Sequence, residues 1–420
     1  MSAQAQSATR SLSHDQRLDR LAEVAVRVGL GLASGQELVM TAPLEAVPLV
    51  RRITAQAYRA GASLVTTLFE DEEATLMRFQ LASDETFDRA TDWLYEGMAS
   101  AYRDGAARLA IRGDNPSLLS GQEPERVARA NRARSLAYRP ALKLITDYAI
   151  NWTILSYATP AWAKAVFPEE TEHAAVVRLW DALFAASRVD EPDPVAAWDA
   201  HNRALRSRCA NLNAKSYAAL RFRGPGTDLR VGLADGHEWL GGSTTAQNGV
   251  TCNPNIPTEE VFTTPHRARV DGFVQSTKPL SYQGTLIQDI AVRFENGRIA
   301  DARASTGEEI LRKVLETDEG ASRLGEVALV PYSSPISKSG LLFYNTLFDE
   351  NASSHIALGQ AYSSCIRGGS AMSGDELAAR GANSSLIHID WMIGSAEIDV
   401  DGITGDGATE PIMARGEWVS

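Results

Sequence analysis

A chain of 420 residues is longer than one hydrophobic core usually serves, so two domains of roughly 200 residues each are expected, with volume enough to bury a deep site. Hydrophobic residues at 44% and charged residues at 22% are ordinary globular values and exclude a fibrous or extensively disordered chain. The 53 acids against 41 bases leave a net charge of -12, which repels a phosphate backbone and argues against nucleic acid as a partner.

The chain opens on Met1 to Arg17, small, polar and charged, without the apolar centre of a secretory signal. Leu18, Leu21, Val24, Ala25 and Val28 then recur at helical spacing until Gly29 and Gly31 break the pattern. A strand at Glu37 to Ala42, a helix from Leu44 to Tyr58 stopped at Gly61, and a strand at Ser63 to Phe69 follow. The alternation continues with a helix over 85–103, a strand at Arg108 to Arg112, a long helix over 123–147 and a strand at Trp152 to Ser156. Short apolar strands alternating with helices predict a parallel sheet. The uncharged, apolar run Tyr148 to Ala163 is shorter than a bilayer requires and contains Asn151, Ser156 and Pro160. It reads as a buried strand and turn, and no membrane association is expected.

Helical periodicity returns over 171–215. After that the strands are short, alternating and separated by Gly and Asn turns, at Tyr217 to Phe222, Asp228 to Gly232, Arg269 to Val274 and Ile290 to Phe294. The fold class expected is α/β, with a parallel-sheet α/β domain over residues 1–209 followed by a β-rich α+β domain over 210–420. No tether separates them, so close packing is expected. The cysteines Cys209, Cys252 and Cys365 are odd in number and far apart, which fits neither a disulfide framework nor a CxxC site and points to a reducing, cytoplasmic setting.

Chemistry-bearing residues gather in the second half. His388-Ile389-Asp390 lies in an apolar strand pattern from Ser385 to Ile393, where residues two apart face the same way. A buried Asp390 needs a cation or a hydrogen-bonded partner; a metal shared with His388 would serve, and so would a plain His–Asp pair. Glu259 and Glu260 follow the turn Asn253 to Thr258, Glu326 interrupts the apolar run Leu324 to Val330, and Glu350 and His355 flank Asn351 to Ser354. Ile356, Leu358 and Ala361 then suggest a helix. These oxygen and nitrogen donors suit Zn, Co, Mn or Mg rather than a thiolate site. The other histidines, His14, His173, His201, His237 and His266, have no evident companion and are expected to be structural.

Competing signatures fail. Gly29-Leu-Gly31 precedes the first strand, so it is not the phosphate turn of a dinucleotide fold. The sequence holds no GxxxxGK[ST], no HExxH and no GxSxG. Ser333, Ser334, Ser337 and Ser339 lack a paired base, and Cys365 lacks an assigned histidine.

Four stretches carry a resemblance: Asn255-Ile-Pro-Thr-Glu-Glu-Val-Phe-Thr263, Gly325-Glu-Val-Ala-Leu-Val-Pro331, the run from Ser334 to His355, and His388-Ile-Asp-Trp-Met-Ile-Gly394. In order and spacing they closely resemble the aminopeptidase T and aminopeptidase S family of metallopeptidases, over most of residues 250–400. The resemblance implies a metal-dependent aminopeptidase acting on peptides with a free N-terminus. It implies two divalent ions (Zn, Co, Mn or Mg) held by Glu260, Glu326, His355, His388 and Asp390, with Glu326 bridging and Glu350 a further ligand or an acid/base group. Tyr362 matches the family tyrosine beside the metals, and a homodimer is implied. Trp391 stands where Phe often follows the aspartate, so pocket shape is where this chain should differ.

Paired ions lower the pKa of water and polarise a carbonyl. Glu350 or Glu259 could then move the water's proton to the leaving amine, and Tyr362 could donate to the developing oxyanion. The alternative is a non-enzymatic scaffold or ligand-binding protein stabilised by a structural ion. Structural zinc sites are usually closed and thiolate-rich, unlike this oxygen-rich set.

Overall fold

The computed structural model describes residues 12–282 and 285–419; residues 1–11 of the polar leader lie outside the described residues. The first helix, His14–Val24, starts where the Ser13 hydroxyl accepts the Gln16 N–H and the Gln16 amide accepts the Ser13 N–H, a reciprocal cap. Four strands, Glu37–Pro43, Leu64–Glu70, Ala107–Arg112 and Trp152–Ser156, form a parallel sheet in the spatial order second, first, third, fourth. The parallel α/β expectation holds, and close helices cover it. The helix expected over 85–103 is divided into a 3-10 turn, Asp84–Asp88, and a helix, Asp92–Arg103. Ahead of it lies an unforeseen helix, Glu72–Leu81, begun by Asp71 accepting the N–H groups of Glu73 and Ala74. That helix buries only Phe79, so its sequence carries no apolar stripe to read.

Beyond the helix Pro194–Lys215 the chain turns to antiparallel strands, eight of them in one sheet and four in another. The helix contributes Trp198 to the apolar core under the parallel sheet, and Leu205, Cys209 and Leu212 to the core between the antiparallel sheets. Ile256, Ile336, Phe343 and Phe348, from the second half of the sequence, also pack into the first core.

The four-stranded sheet carries the site. Its spatial order is His388–Met392, His355–Gly359, Leu324–Leu329, Val261–Thr263, every neighbour antiparallel. The helix suggested after His355 is therefore a strand. Ile356 and Leu358 alternate at period two, and pairing on both sides outweighs the weak helical signal of Ala361. Val327, Leu329, Ile356, Leu358 and Trp391 pack into the core, which leaves the opposite face of this sheet for polar side chains.

Candidate metal centre

Strand register decides which side chains meet. Glu326 lies opposite Ala357 and Ala328 opposite His355; across the next pairing Ala357 lies opposite Asp390 and Gly359 opposite His388. Opposed residues of antiparallel strands share a face, so Glu326, His355, His388 and Asp390 all stand on the face turned from the core. Phe262, opposite Ala328, shares that face, and Glu260 precedes it by two residues. The small residues Ala357 and Gly359 leave room over the centre. Gly359 is required twice, by its φ of 100° and because a Cβ there would lie 2.1 Å from the Ile387 carbonyl oxygen.

His355 Nε2 is 3.1 Å from Glu260 Oε2 and 3.5 Å from Glu326 Oε1, while His388 Nε2 is 3.6 Å from Glu326 Oε2 and 3.5 Å from Asp390 Oδ1. Glu260, Glu326 and His355 thus bring ligand atoms within 4.8 Å of one another, and Glu326, His388 and Asp390 do the same. Glu326 belongs to both groups and turns one oxygen to each. The far side of each ring is fixed to a carbonyl, His355 Nδ1 at 3.1 Å from Ser353 O and His388 Nδ1 at 2.7 Å from Gln360 O. With Nδ1 donating there, each Nε2 lone pair faces the centre, the arrangement metal-binding histidines use.

The donors fit divalent ions. Glu260 Oε2 and His355 Nε2, 3.1 Å apart, are both buried without a satisfied hydrogen bond, which is how ligand atoms for a shared cation stand. Without cations the charges strain one another. Burial, reinforced by Asp390 and Glu260, pushes the Glu326 carboxyl up to about 7. Burial and the carboxylates of Glu260 and Asp390 raise Glu350 well above the usual range. Around His388 burial opposes charge, but Asp390 and Glu326 outweigh it and push the imidazole up to about 10. The same contest, won by Glu260 and Glu326, raises His355, and His388 holds Asp390 below the carboxylate range against its burial. Four carboxylates with two histidines form a site that bound cations would neutralise.

Glu350 stands beside this group in the turn Glu350–Ala352, and with Asp390 it lines a cavity that Leu280, Tyr344 and Met392 also border. It belongs to neither of the two close ligand groups. The preceding residue, Asp349, is buried and accepts the N–H groups of Phe343 and Asn345 at 2.7 and 2.9 Å, holding that cavity wall. The Tyr362 ring lies 4.9 Å from the His388 ring and 6.0 Å from Phe262. Although the residue is partly exposed, desolvation and then the carboxylates of Glu326 and Asp390 raise its phenol, keeping it a proton-bearing donor.

Two expectations need correction. Glu259 does not face the centre: its carboxylate is buried on the other side of the chain against Arg188, Nη2 to Oε1 2.7 Å, with His201 Nε2 at 3.7 Å. Neighbouring residues of extended chain point opposite ways, so only one of Glu259 and Glu260 can reach the site. Trp391 likewise lies on the core face, 1% exposed, and does not shape the pocket. His201, expected to be structural, is a partnered histidine that touches Arg188, Glu259 and the Thr258 carbonyl; no spacing in the sequence could disclose partners so remote.

The family described as thermophilic metalloprotease (M29) matches residues 14–418. The chain belongs to that family. Among M29 relatives, the chain is 56% identical to aminopeptidase T of Thermus thermophilus over 402 residues, 96% of this chain and 98% of the relative. It is 46% identical to aminopeptidase 2 of Geobacillus stearothermophilus over 407 residues, again 96% and 98%. The solved structure of wild-type AmpT from Thermus thermophilus superposes with a TM-score of 0.93 at 54% identity, covering 97% of this chain and all of that one. The M29 fold is thus the fold of this chain, parallel sheet and strand-rich part together.

Proposed function

We infer that this face of the sheet hydrolyses N-terminal residues from peptides with two divalent ions, and that Glu326 bridges them. The chain is a metal-dependent aminopeptidase, a hydrolase of peptide bonds, by its M29 membership and its aminopeptidase relatives; a non-enzymatic scaffold is not favoured. The observation carrying the two-ion reading is the single Glu326 carboxylate placed between two histidine–carboxylate pairs.

In this proposal Glu260 and His355 would hold one ion and His388 and Asp390 the other, with Glu326 within reach of both. When bound, such ions supply Lewis acidity and a lowered pKa for water. Glu350, which stands beside the two ligand groups and lines the cavity with Asp390, would take a proton from the attacking water and return it to the leaving amine. Tyr362 donates its hydroxyl proton in a hydrogen bond to the oxygen that gains charge. The substrate's free amino group would be held by the ions and carboxylates of this face, which favours aminopeptidase over endopeptidase cleavage.

The remaining proposals are coarser. Zn, Co or Mn suits the nitrogen and oxygen donors, with Mg less suited to imidazole. A homodimer in the cytoplasm is proposed from the family resemblance and the three free, buried cysteines. Among the described residues no helix is long and apolar enough to cross a membrane. A division near residue 210 is supported by the change to antiparallel strands after Lys215. The test is hydrolysis of an amino-acid anilide by protein stripped with chelator and verified metal-free. Activity should vanish and return with Zn, Co or Mn, and an N-acetylated substrate should resist. Full activity of the stripped protein would remove the assignment.

A further inference from the structure

We propose that Arg188, acting through Glu259, is a positioning residue for the Glu260 carboxylate, so that the N-terminal half of the chain sets the affinity of one of the two ion positions. The inference rests on the two-ion reading above.

The segment leading to Glu260 is stitched to the N-terminal half. Ile154, on the edge strand of the parallel sheet, donates its N–H to the Pro254 carbonyl at 2.7 Å and accepts the Ile256 N–H at 2.9 Å. Asn202 and Asn253 exchange two buried amide hydrogen bonds, each 2.9 Å. The Thr258 carbonyl oxygen lies 2.8 Å from His201 Nε2. The Glu259 N–H donates to Asn351 Oδ1 at 2.7 Å, and the Glu259 carboxylate meets Arg188 Nη2 at 2.7 and 3.0 Å. Only at Val261 does the chain enter the site sheet. Glu260 is the joint between the two anchorages.

Arg188 is itself held. Its Nη2 also approaches His201 Nδ1 at 3.1 Å, its guanidinium lies 4.9 Å over the Trp198 ring, and its backbone takes φ 59°. With Glu259 gripped on one side of the chain, Glu260 is turned to the other, where its carboxylate stands 3.1 Å from His355. A buried ion pair contributes little net stability compared with apolar residues of the same volume. Its use here is orientation. Residues that orient metal ligands from behind commonly change metal affinity by about 10- to 100-fold when lost.

The experiment titrates metal-free protein with Co(II) against a chromophoric chelator, which resolves two binding steps, and records the visible spectrum of the Co(II)-loaded form. Removing one partner alone would strand a buried charge, so the principal variant is the double change Arg188→Met with Glu259→Gln, accompanied by Arg188→Lys and by Glu326→Gln as a control. The double variant should keep wild-type circular dichroism, bind one Co(II) about 10- to 100-fold more weakly, leave the other step unchanged and alter the spectrum. Arg188→Lys should restore much of the loss. Should the double variant not fold, Arg188→Gln with Glu259→Gln, which removes both charges but keeps polar side chains, carries the same expectation. Two unchanged steps with an unchanged spectrum would overturn the proposal, as would equal weakening of both steps. If Glu326→Gln weakens both steps while the Arg188 and Glu259 variants bind like wild type, the two-ion reading stands and only this inference falls. If Glu326→Gln also binds like wild type, the two-ion reading itself fails.

Discussion

Replacing Glu326 by glutamine keeps the shape of the side chain and removes one negative charge from the middle of the site. Its oxygens lie 3.5 and 3.6 Å from the two histidine nitrogens, so a charge at either ion position is no farther than a few ångströms away. A pair of unit charges about 4 Å apart interacts by about 4 kcal/mol at an effective dielectric near 20. Part of that is returned, because a buried amide costs less to desolvate than a buried carboxylate and its carbonyl can still ligate. A net loss of about 2 to 3 kcal/mol per ion remains, equivalent to roughly 30- to 150-fold weaker binding. Folding should survive, since the variant leaves a smaller burial penalty at a residue only 5% exposed. Metal content after gel filtration, turnover on an amino-acid anilide, and circular dichroism measure the three quantities. Glu295→Gln, on an exposed strand end next to the Asn296–Gly297 turn, is the control and should match wild type. A Glu326→Gln protein holding two tight ions with near-normal turnover would refute the bridge.

Glu350→Gln separates base from ligand. As a proton carrier its loss should lower turnover by on the order of 10² to 10⁴ with metal content unchanged, whereas loss of an ion would make it a ligand. His201 gives a pH signature. Burial, then Arg188, lowers its imidazole from 6.5 to about 3, so the unfolded chain takes up a proton near 6.5 that the folded chain refuses until about 3. Stability from this group is therefore complete above about 6.5 and declines as pH falls towards 3, by on the order of a few kcal/mol at the lower end. Urea unfolding at pH 7 and pH 4.5 should show a smaller acid loss for His201→Gln than for wild type; parallel losses would refute the account.

The alternation of Leu64, Val65 and their neighbours with helices made the parallel sheet legible, because strand and helix periods are local properties of the chain. His388 and Asp390 were legible as a same-face pair for the same reason. Their meeting with Glu326 and His355 required register, since only the pairing of Glu326 with Ala357 and of Ala357 with Asp390 brings the three strands' donors above one point. Period-two geometry could say that Glu259 and Glu260 diverge, but not which one turns towards His355. That choice was made by Arg188 and His201, on segments remote in sequence, and by the strand that carries Glu260 into the sheet. Local sequence determines which residues can share a face; where that face points, and which carboxylate meets a guanidinium and which meets His355, is decided by contacts between distant segments that exist only once the chain has folded.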